Sequence, residues 1–366
     1  MTDAELQALK MQCHTILPGH RLQTPADTFR QMADWCEAHQ VSHDTYGEGE
    51  LIQAFEQKIA TLLGMEAGLF CITGTMTQVT ALRLACEERG SPLVALHPTS
   101  HILVHERSNY QIQRDFTALQ IGNPFRTWSL ADLETQPELI SAVQYELPMR
   151  EIGGQLPAWE TLNEIKRHCR KQDIHLHMDG ARLWEAATGY GKPPSEVAEG
   201  FDSVYVSFYK GIGGLAGAML LGRKDFIAKA RLSFQRQGGN VFRRTPYVVA
   251  AAMQFDQRLA QLPACLHRTR AIYGVLKDYP PFQVNPATPQ VNMLHVYLPL
   301  DKDRAIEARN RIAQTQGIWL FNQAVHGALP GQSMFEWYVG DQMLAISDEQ
   351  LRRSLDLLQQ ACKTSG

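Results

Sequence analysis

The sequence predicts an α/β protein with a large, mostly parallel mixed sheet flanked by helices, followed by a smaller α+β domain. From about residue 66 to residue 222, short apolar runs alternate with helix-like segments, which is typical of a sheet covered by helices. After residue 250 the pattern changes to longer helices and fewer strands. The chain has 366 residues, of which 44% are hydrophobic, enough for a deep core. We expect an N-terminal segment over 1–45, a large domain over 46–255 and a small domain over 256–366.

The segments before residue 66 are predicted to be helices. Helical spacing covers 3–13 and resumes over 27–39, after breakers that include Pro25. The apolar residues of 50–64 form one stripe, and Gly64 is expected to end that helix.

The remaining elements follow from the alternating pattern. In the large domain the segments are 67–72, 76–89, 93–96, 102–112, 115–120, 130–144, 159–171, 174–178 and 203–208. In the small domain we expect a helix through Ile272, a strand over 291–298, a helix over 303–315, strand-like pieces near 318 and at 335–346, and a last helix over 348–362.

Composition excludes several classes of partner. A net charge of −3 leaves no broad basic field for nucleic acid or for an anionic membrane. The seven cysteines are scattered without a C-x-x-C pair, which argues against a disulfide framework or a structural zinc and favours the cytoplasm. We expect neither a signal peptide nor a membrane span, because no apolar run reaches about 18 residues.

A first polar group stands at the end of an apolar strand. Ile174, Leu176 and Met178 share one face, and Asp179 follows at the strand end. Ligands of open α/β sheets bind at the carboxyl ends of strands. From this segment alone, the pattern is more typical of an Asp179 that caps the next helix, with Arg182 as a surface charge.

A second polar group ends the next strand. The β-rich run 203–209 leads into Lys210 and a Gly-rich turn. One strand-connection-strand unit separates Asp179 from Lys210, which could bring a carboxylate and an amine to the same sheet edge. A partly desolvated lysine can lose its proton and attack a carbonyl, although an exposed loop lysine is the commoner case.

A third motif could bind an anion. Gly74 and Thr75 form a turn between a strand end and the helix predicted over 76–89. The free N–H groups and positive dipole end of such a helix attract phosphate. Together, a phosphate turn, a carboxylate and a lysine after a strand are the three parts that hold pyridoxal phosphate.

The motifs also resemble a known family, the threonine aldolases and β-eliminating lyases. The resemblance covers roughly residues 20–260 well and the C-terminal hundred residues loosely. The motifs that carry it are, in order, Asp44–Glu48, Thr73–Met76, Ser100–Ile102 with Glu106, His177–Arg182, Lys210–Gly211 and Gly238–Gly239.

The resemblance implies a fold type I pyridoxal phosphate enzyme. Lys210 resembles the lysine that bonds to the cofactor, and Asp179 resembles the partner of its ring nitrogen. Gly74 and Thr75 resemble the phosphate-binding turn, to which Ser207 adds a hydroxyl. The family usually has a serine directly before the lysine, where this chain has a tyrosine.

The resemblance also implies roles on the substrate side. His101 is similar to the histidine that stacks on the cofactor ring near the substrate hydroxyl; without the motif it would read as an ordinary helix-terminal histidine. Arg182 is similar to the arginine that binds the substrate carboxylate. Arg243 is a weaker candidate for a phosphate contact, in this subunit or a neighbouring one.

The substrate side departs from the family in three places. The family's Glu-Asn-Thr-His stretch is replaced by Glu146-Leu147-Pro148-Met149, so a second candidate base is missing. No arginine in 335–341 matches the one that completes carboxylate binding, and the N-terminal Arg-Ser-Asp-Thr stretch is altered at 20–24. The cofactor side is therefore predicted to be intact and the substrate side remodelled.

Two competing motifs are set aside. Residues 211–216 match the dinucleotide pattern G-x-G-x-x-G/A, but the next residues predict a strand that ends at Gly222 instead of a helix. His175 and His177 alternate with core residues and lack further ligands at metal spacing, so we predict no metal site.

The leading functional hypothesis is cleavage of a β-hydroxy-α-amino acid, such as threonine or allo-threonine, to glycine and an aldehyde. The alternatives are β-elimination or transamination on the same cofactor, and a non-catalytic scaffold that retains the fold. Fold type I enzymes generally build their sites between subunits, so the resemblance implies a homodimer or homotetramer.

Overall fold

The computed structural model of the chain describes residues 1–364. These residues fall into two compact units. The large unit contains Gln23–Glu151 and Gln155–Ala260, and the small unit contains Met1–Leu22, Ile152–Gly154 and the chain from Gln261 onward. The domain limits given above stay predictions.

The α-helices are numbered in chain order. They are α1 (Asp3–Gln12), α2 (Pro25–Ala38), α3 (Glu50–Leu63), α4 (Gly74–Arg89), α5 (His101–His105), α6 (Asn109–Ile112), α7 (Leu130–Glu134), α8 (Trp159–Lys171), α9 (Leu183–Tyr190), α10 (Pro194–Ala198), α11 (Lys224–Arg236), α12 (Thr245–Leu276), α13 (Lys302–Gln316), α14 (Asp341–Ala345) and α15 (Asp348–Thr364). A short 3₁₀ helix covers Arg150–Ile152.

The strands are numbered in the same way. They are β1 (Thr15–Ile16), β2 (Ala67–Cys71), β3 (Leu93–Leu96), β4 (Thr117–Gln120), β5 (Ala142–Glu146), β6 (His175–Gly180), β7 (Ser203–Ser207), β8 (Ala218–Gly222), β9 (Gln283–Asn285), β10 (Met293–Leu298), β11 (Ile318–Trp319), β12 (Val325–His326) and β13 (Ser333–Tyr338).

A seven-stranded sheet forms the centre of the large unit. Its strand order is β2-β8-β7-β6-β5-β3-β4. Strands β3 to β7 run parallel, whereas β8 is antiparallel to both of its neighbours. The predicted mostly parallel mixed sheet is therefore confirmed.

The interior strands of this sheet are covered on both faces. Every residue of β5, β6, β7 and β8 is buried, as expected for strands between layers of helices. Helix α4 packs on β7 and β8 with α11 beside it. This packing holds the N-terminus of α4 in place.

The small unit has an α+β architecture. Its main sheet is antiparallel, in the order β12-β13-β10-β9, and β1 pairs with β11 in parallel. Strand β13 alternates buried and half-buried residues. Its inward residues Phe335 and Trp337 pack in a core with Leu294 of β10 and Leu355 of α15.

Three predicted segments need correction, and one predicted end is confirmed. Segment 102–112 divides into α5 and α6. Segment 130–144 is not one element: α7 ends at Glu134 and β5 begins at Ala142. Pro137 explains the break, because proline lacks the N–H and disfavours helix in the residue before it. Likewise, 335–346 divides into β13 and α14. Gly64 does end α3, with a left-handed φ of 66°.

Candidate active site

Parallel strands bring polar side chains to one edge of the large sheet. Asp179 lies near the end of β6, Glu146 ends β5, and Lys210 follows β7. Asp179 pairs in register with Glu146 on one side and with Tyr205 on the other. The strand order β7-β6-β5-β3 therefore sets Lys210, Asp179, Glu146 and the segment after β3 in sequence along this edge.

Asp179 is a buried carboxylate with a fixed orientation. Only 2% of the residue is exposed. Its Oδ1 accepts a hydrogen bond from the backbone N–H of Ala181 at 3.1 Å. A carboxylate held in this way at a sheet edge is suited to face a protonated nitrogen of a bound ring.

Lys210 lies in an environment that favours a neutral amine. Burial lowers the pKa of Lys210, and the positive charge of Arg182 lowers it further. The negative charge of Asp179, and that of Glu146 in its ionised form, oppose these effects without cancelling them. An amine with a lowered pKa is a better nucleophile toward an aldehyde.

The first turn of α4 is the place where the sequence predicts an anion site. Thr73 caps the helix by accepting a hydrogen bond from Met76 N at 3.4 Å. A Cβ added to Gly74 would lie 2.2 Å from the Tyr205 hydroxyl oxygen, so only glycine fits there. Thr75 and Thr73 line a cavity of about 340 Å³ beside this turn.

Ser207 ends β7 and is fully buried. Its side chain lies near the hydroxyl of Tyr205, the same group that contacts Gly74. Burial raises the pKa of Tyr205 well above its ordinary value. Ser207 and the α4 turn therefore share Tyr205 as a neighbour.

His101 begins α5 and is oriented by a buried carboxylate. Its Nδ1 lies 3.0 Å from Glu106 Oε1, and the Glu106 side chain is 1% exposed. Glu106 Oε2 accepts a further bond from Asn109. Because an ionised carboxylate only accepts, Nδ1 is the donor in this pair, which leaves Nε2 as the ring nitrogen available to exchange a proton.

Arg182 lies just before α9 and has an unused donor. Its Nε is buried and has no hydrogen-bond partner among residues 1–364. Its positive charge lowers the pKa of Lys210 further and limits the rise that burial causes in the pKa of Glu146. A guanidinium beside a reactive amine can bind a carboxylate in two-pronged fashion.

Arg243 contacts a different part of the large unit. Its guanidinium donates to the backbone carbonyl of Asp44 and, at 2.7 Å, to Thr45 Oγ1. It also lies 4.4 Å from the ring centroid of Phe242. These contacts attach Arg243 to the turn at 44–48, and its contact with a phosphate stays a prediction.

Glu146 is a site residue that the sequence reasoning missed. It is 8% exposed. Its Oε1 accepts a bond from Arg150 N at 3.1 Å, while its Oε2 is buried without a partner among the described residues. Burial, and then the charge of Asp179, raise the pKa of Glu146 to about 8. The sequence signal that could have identified Glu146 is a carboxylate at the end of an apolar strand, the same pattern that identified Asp179.

The two competing motifs have structural explanations. After the Gly-rich turn comes β8, so the predicted strand is confirmed and no helix begins there. His175 Nε2 and His177 Nδ1 each lie 2.7 Å from Ser203 Oγ inside the core. Over the described chain, no group of three or more His, Cys, Asp or Glu side chains could hold a metal ion, and no helix has the length and apolar character needed to cross a membrane.

The residues present fit pyridoxal phosphate. Three features support the fit: the lowered pKa of Lys210, the buried and oriented Asp179, and the cavity that Thr73 and Thr75 line at the N-terminus of α4. Arg182 Nε adds a buried donor without a partner among the described residues. Met149 stands where the family has its second histidine, and it is fully buried.

Comparison with known proteins agrees with this geometry. The β-eliminating lyase family model matches residues 24–298. An uncharacterized Caenorhabditis elegans protein is 30% identical over 66% of this chain and 60% of its own length. An Arabidopsis thaliana protein assigned as low-specificity L-threonine aldolase 2 is 25% identical over 78% of this chain and 83% of its own length. The chain thus spans less than two thirds of the C. elegans relative.

Solved structures extend the similarity to nearly the whole chain. A Listeria monocytogenes protein assigned as an L-allo-threonine aldolase is 32% identical, with a TM-score of 0.89 and 99% of both chains covered. An Exiguobacterium protein assigned as an aromatic amino acid β-eliminating lyase/threonine aldolase is 31% identical, with a TM-score of 0.90, covering 97% of this chain and 99% of its own. The chain belongs to the β-eliminating lyase family, as its resemblance to the threonine aldolases predicts.

Proposed function

We propose that this protein is a pyridoxal phosphate-dependent carbon–carbon lyase that cleaves a β-hydroxy-α-amino acid of the threonine or allo-threonine type to glycine and an aldehyde. The observation that carries the proposal is the pair of adjacent strand ends that hold Asp179 and a lysine of lowered pKa. The threonine aldolase assignments of the Arabidopsis and Listeria relatives support the substrate class.

Seven positions are assigned to cofactor binding: Lys210, Asp179, Gly74, Thr75, Ser207, His101 and Arg243. Lys210 would hold the aldehyde carbon, Asp179 the ring nitrogen, and Gly74, Thr75 and Ser207 the phosphate. Bound pyridoxal phosphate supplies an electron sink for the bond that breaks at the substrate α-carbon. Arg243 is kept as a further phosphate contact.

Residues of the chain determine which bond at the substrate α-carbon breaks. Arg182 binds the substrate carboxylate and turns the Cα–Cβ bond into the reactive orientation. His101 would pack against the cofactor ring and present Nε2 to the β-hydroxyl group, because Glu106 holds Nδ1. His101 then accepts the hydroxyl proton as the aldehyde separates.

Aldehyde release tests the proposal. Purified protein loaded with pyridoxal phosphate should release acetaldehyde from L-threonine or L-allo-threonine, measured with a coupled alcohol dehydrogenase. Lys210→Ala should lose at least 10⁴-fold in turnover and lose the absorbance of the lysine-bound cofactor. His101→Ala should keep that absorbance and lose about 10²-fold in kcat. Full activity in Lys210→Ala would contradict the proposal.

The remodelled substrate side favours a second candidate, β-elimination or transamination of another amino acid. Its supporting observation is that buried Met149 replaces the family's histidine. Lys210 would then remove the α-proton. Pyruvate and ammonia formed from serine, without aldehyde from threonine, would identify elimination.

We also propose a homodimer or homotetramer located in the cytoplasm. Two aromatic side chains beside Arg243 support assembly: Tyr46 is 50% exposed and Phe242 is 52% exposed, with ring centroids 5.2 Å apart. Exposed aromatic pairs are typical of interfaces. Sedimentation equilibrium of the wild type and of Phe242→Asp measures the assembly; a wild-type monomer would contradict it.

A further inference from the structure

Glu146 occupies a central place among the candidate active-site residues. It ends β5, directly beside Asp179 in the sheet. The charges of Asp179, Lys210 and Arg182 all act on the ionised form of Glu146. The α-carbon of an amino acid carries both the amino group, which reacts where Lys210 reacts, and the carboxylate, which Arg182 binds under the proposed function. Glu146 therefore lies at the same sheet edge as Asp179 and the segment that leads into Lys210, where an amino acid substrate binds under the proposed function.

The charged groups that act on Glu146 come from several elements. Asp179 lies on β6, Lys210 follows β7, and Arg182 precedes α9. The 3₁₀ helix contributes the backbone N–H of Arg150, which donates to Glu146 Oε1. On the β3 side, His101 is already paired with Glu106.

The hydrogen bonding of Glu146 is that of a neutral acid. An ionised carboxylate would need donors at both oxygens in a buried site, yet Oε2 has none within the described chain. A protonated Oε2 is instead a donor itself and needs only an acceptor, which a bound substrate can provide. The raised pKa agrees with this state at neutral pH.

We propose that Glu146 is a catalytic general acid that returns a proton to the substrate α-carbon after the carbon–carbon bond has broken. This inference rests on the proposed function. Cleavage removes one proton from the β-hydroxyl group and adds one to the α-carbon. His101 accepts the first proton, the Oε2–H bond of Glu146 breaks to form the new C–H bond, and Glu146 is reprotonated from His101 or solvent. No oxidant or further reactant is needed.

The test uses the holoenzyme, with Glu146→Gln compared with Glu56→Gln. Glu56 is also 8% exposed, accepts a hydrogen bond from Phe70 N, and has a pKa raised by burial, but it lies on α3 outside the site. We expect Glu146→Gln to lower kcat for aldehyde release about 100-fold, with KM within threefold and the cofactor absorbance retained. Glu56→Gln should keep kcat within threefold.

Two pH-dependent measurements separate an acid from a positioning residue. In the wild type, kcat should fall about tenfold per pH unit above about pH 8, as Glu146 loses its proton. In the reverse direction, exchange of the glycine α-proton with D₂O, followed by NMR, should rise with pH through the same value. Glu146→Gln should slow this exchange about 100-fold, and Glu146→Asp should retain the pH dependence at a lower rate.

The outcomes distinguish this inference from the proposed function. If the wild type releases aldehyde but Glu146→Gln retains kcat and exchange within threefold, Glu146 is not the acid and the proposed function stands. An unchanged pH profile in a slow Glu146→Gln variant also overturns the assignment. If the wild type releases no aldehyde from any β-hydroxy amino acid, both fail. If Glu146→Gln does not fold, kcat and glycine α-proton exchange are measured on Glu146→Asp, and the same criteria decide whether Glu146 is the acid.

Discussion

Two buried carboxyl groups of the large unit occupy opposite environments. Asp44 accepts hydrogen bonds from the backbone and hydroxyl of Thr245 and from the backbones of Arg244 and Gly47. Burial raises the pKa of Asp44, but these bonds outweigh it and hold the pKa below its ordinary value. Glu146 receives one such bond, and its pKa is raised to about 8.

The number of hydrogen-bond donors around each carboxyl group therefore decides whether the group has a structural or a chemical role. A carboxylate surrounded by donors stays charged and fixes the chain around it, as Asp44 fixes the turn at 44–48 against Arg244 and the first residue of α12. A carboxyl group that lacks donors keeps its proton and remains free to give it away. The two groups should therefore respond differently to mutation and to pH.

The largest expected effect on stability is at Asp44. Asp44→Ala leaves several buried N–H groups without an acceptor, so we expect the free energy of unfolding to fall by about 4 kcal/mol. Chemical denaturation of the cofactor-free chain measures it. Asp256→Ala is the control, because that side chain is 74% exposed and pairs with Lys58 on the surface; it should cost less than about 0.5 kcal/mol. Equal costs would contradict the role given to Asp44.

Glu146 and Asp44 should also contribute to stability in different pH ranges. The folded-state pKa of Glu146 is above its unfolded value of about 4.3, so its contribution is complete below that pH and is lost as pH rises toward about 8. Between pH 5 and 8 the cofactor-free wild type should lose about 3 kcal/mol relative to Glu146→Gln. Asp44 has a lowered pKa, so its contribution is lost only as pH falls below about 4. A constant difference between the wild type and Glu146→Gln from pH 5 to 8 would refute this account.

The smallest expected effect concerns a third buried carboxyl group, Glu106, which is shared between His101 and Asn109. Glu106→Gln retains a similar shape but removes the charge that keeps the proton on Nδ1 of His101. We expect kcat for aldehyde release to fall about tenfold, with the cofactor absorbance unchanged. Steady-state kinetics measures this, and an unchanged kcat would show that Glu106 does not orient the base.

Local sequence was sufficient for the elements whose signals are local. Gly64 ends α3 because it adopts the left-handed conformation that glycine permits. The strands that hold Asp179 and lead into Lys210 were predicted from apolar runs followed by polar residues, although β6 continues through Asp179 to Gly180. The sheet class followed from the alternation of strands and helices.

The remaining features depend on contacts between distant parts of the chain. β5 was hidden within 130–144, because a run of apolar residues after Pro137 resembles a continuing helix when its neighbours β3 and β6 are unknown. That error concealed Glu146, the residue at the end of β5. Its unusual pKa depends on burial and on Asp179, which lies on another strand. The hydrogen bonds to Asp44 likewise come from residues near 245.

The most direct test of the central claim is the protonation state of Glu146 itself. Infrared spectra of the cofactor-free wild type and of Glu146→Gln at pH 6.5 should differ by the carbonyl stretch of one protonated carboxyl group. In the wild type this band should disappear on titration through about pH 8. Absence of the band at pH 6.5, with the carboxylate bands of Glu146 present instead, would contradict the account.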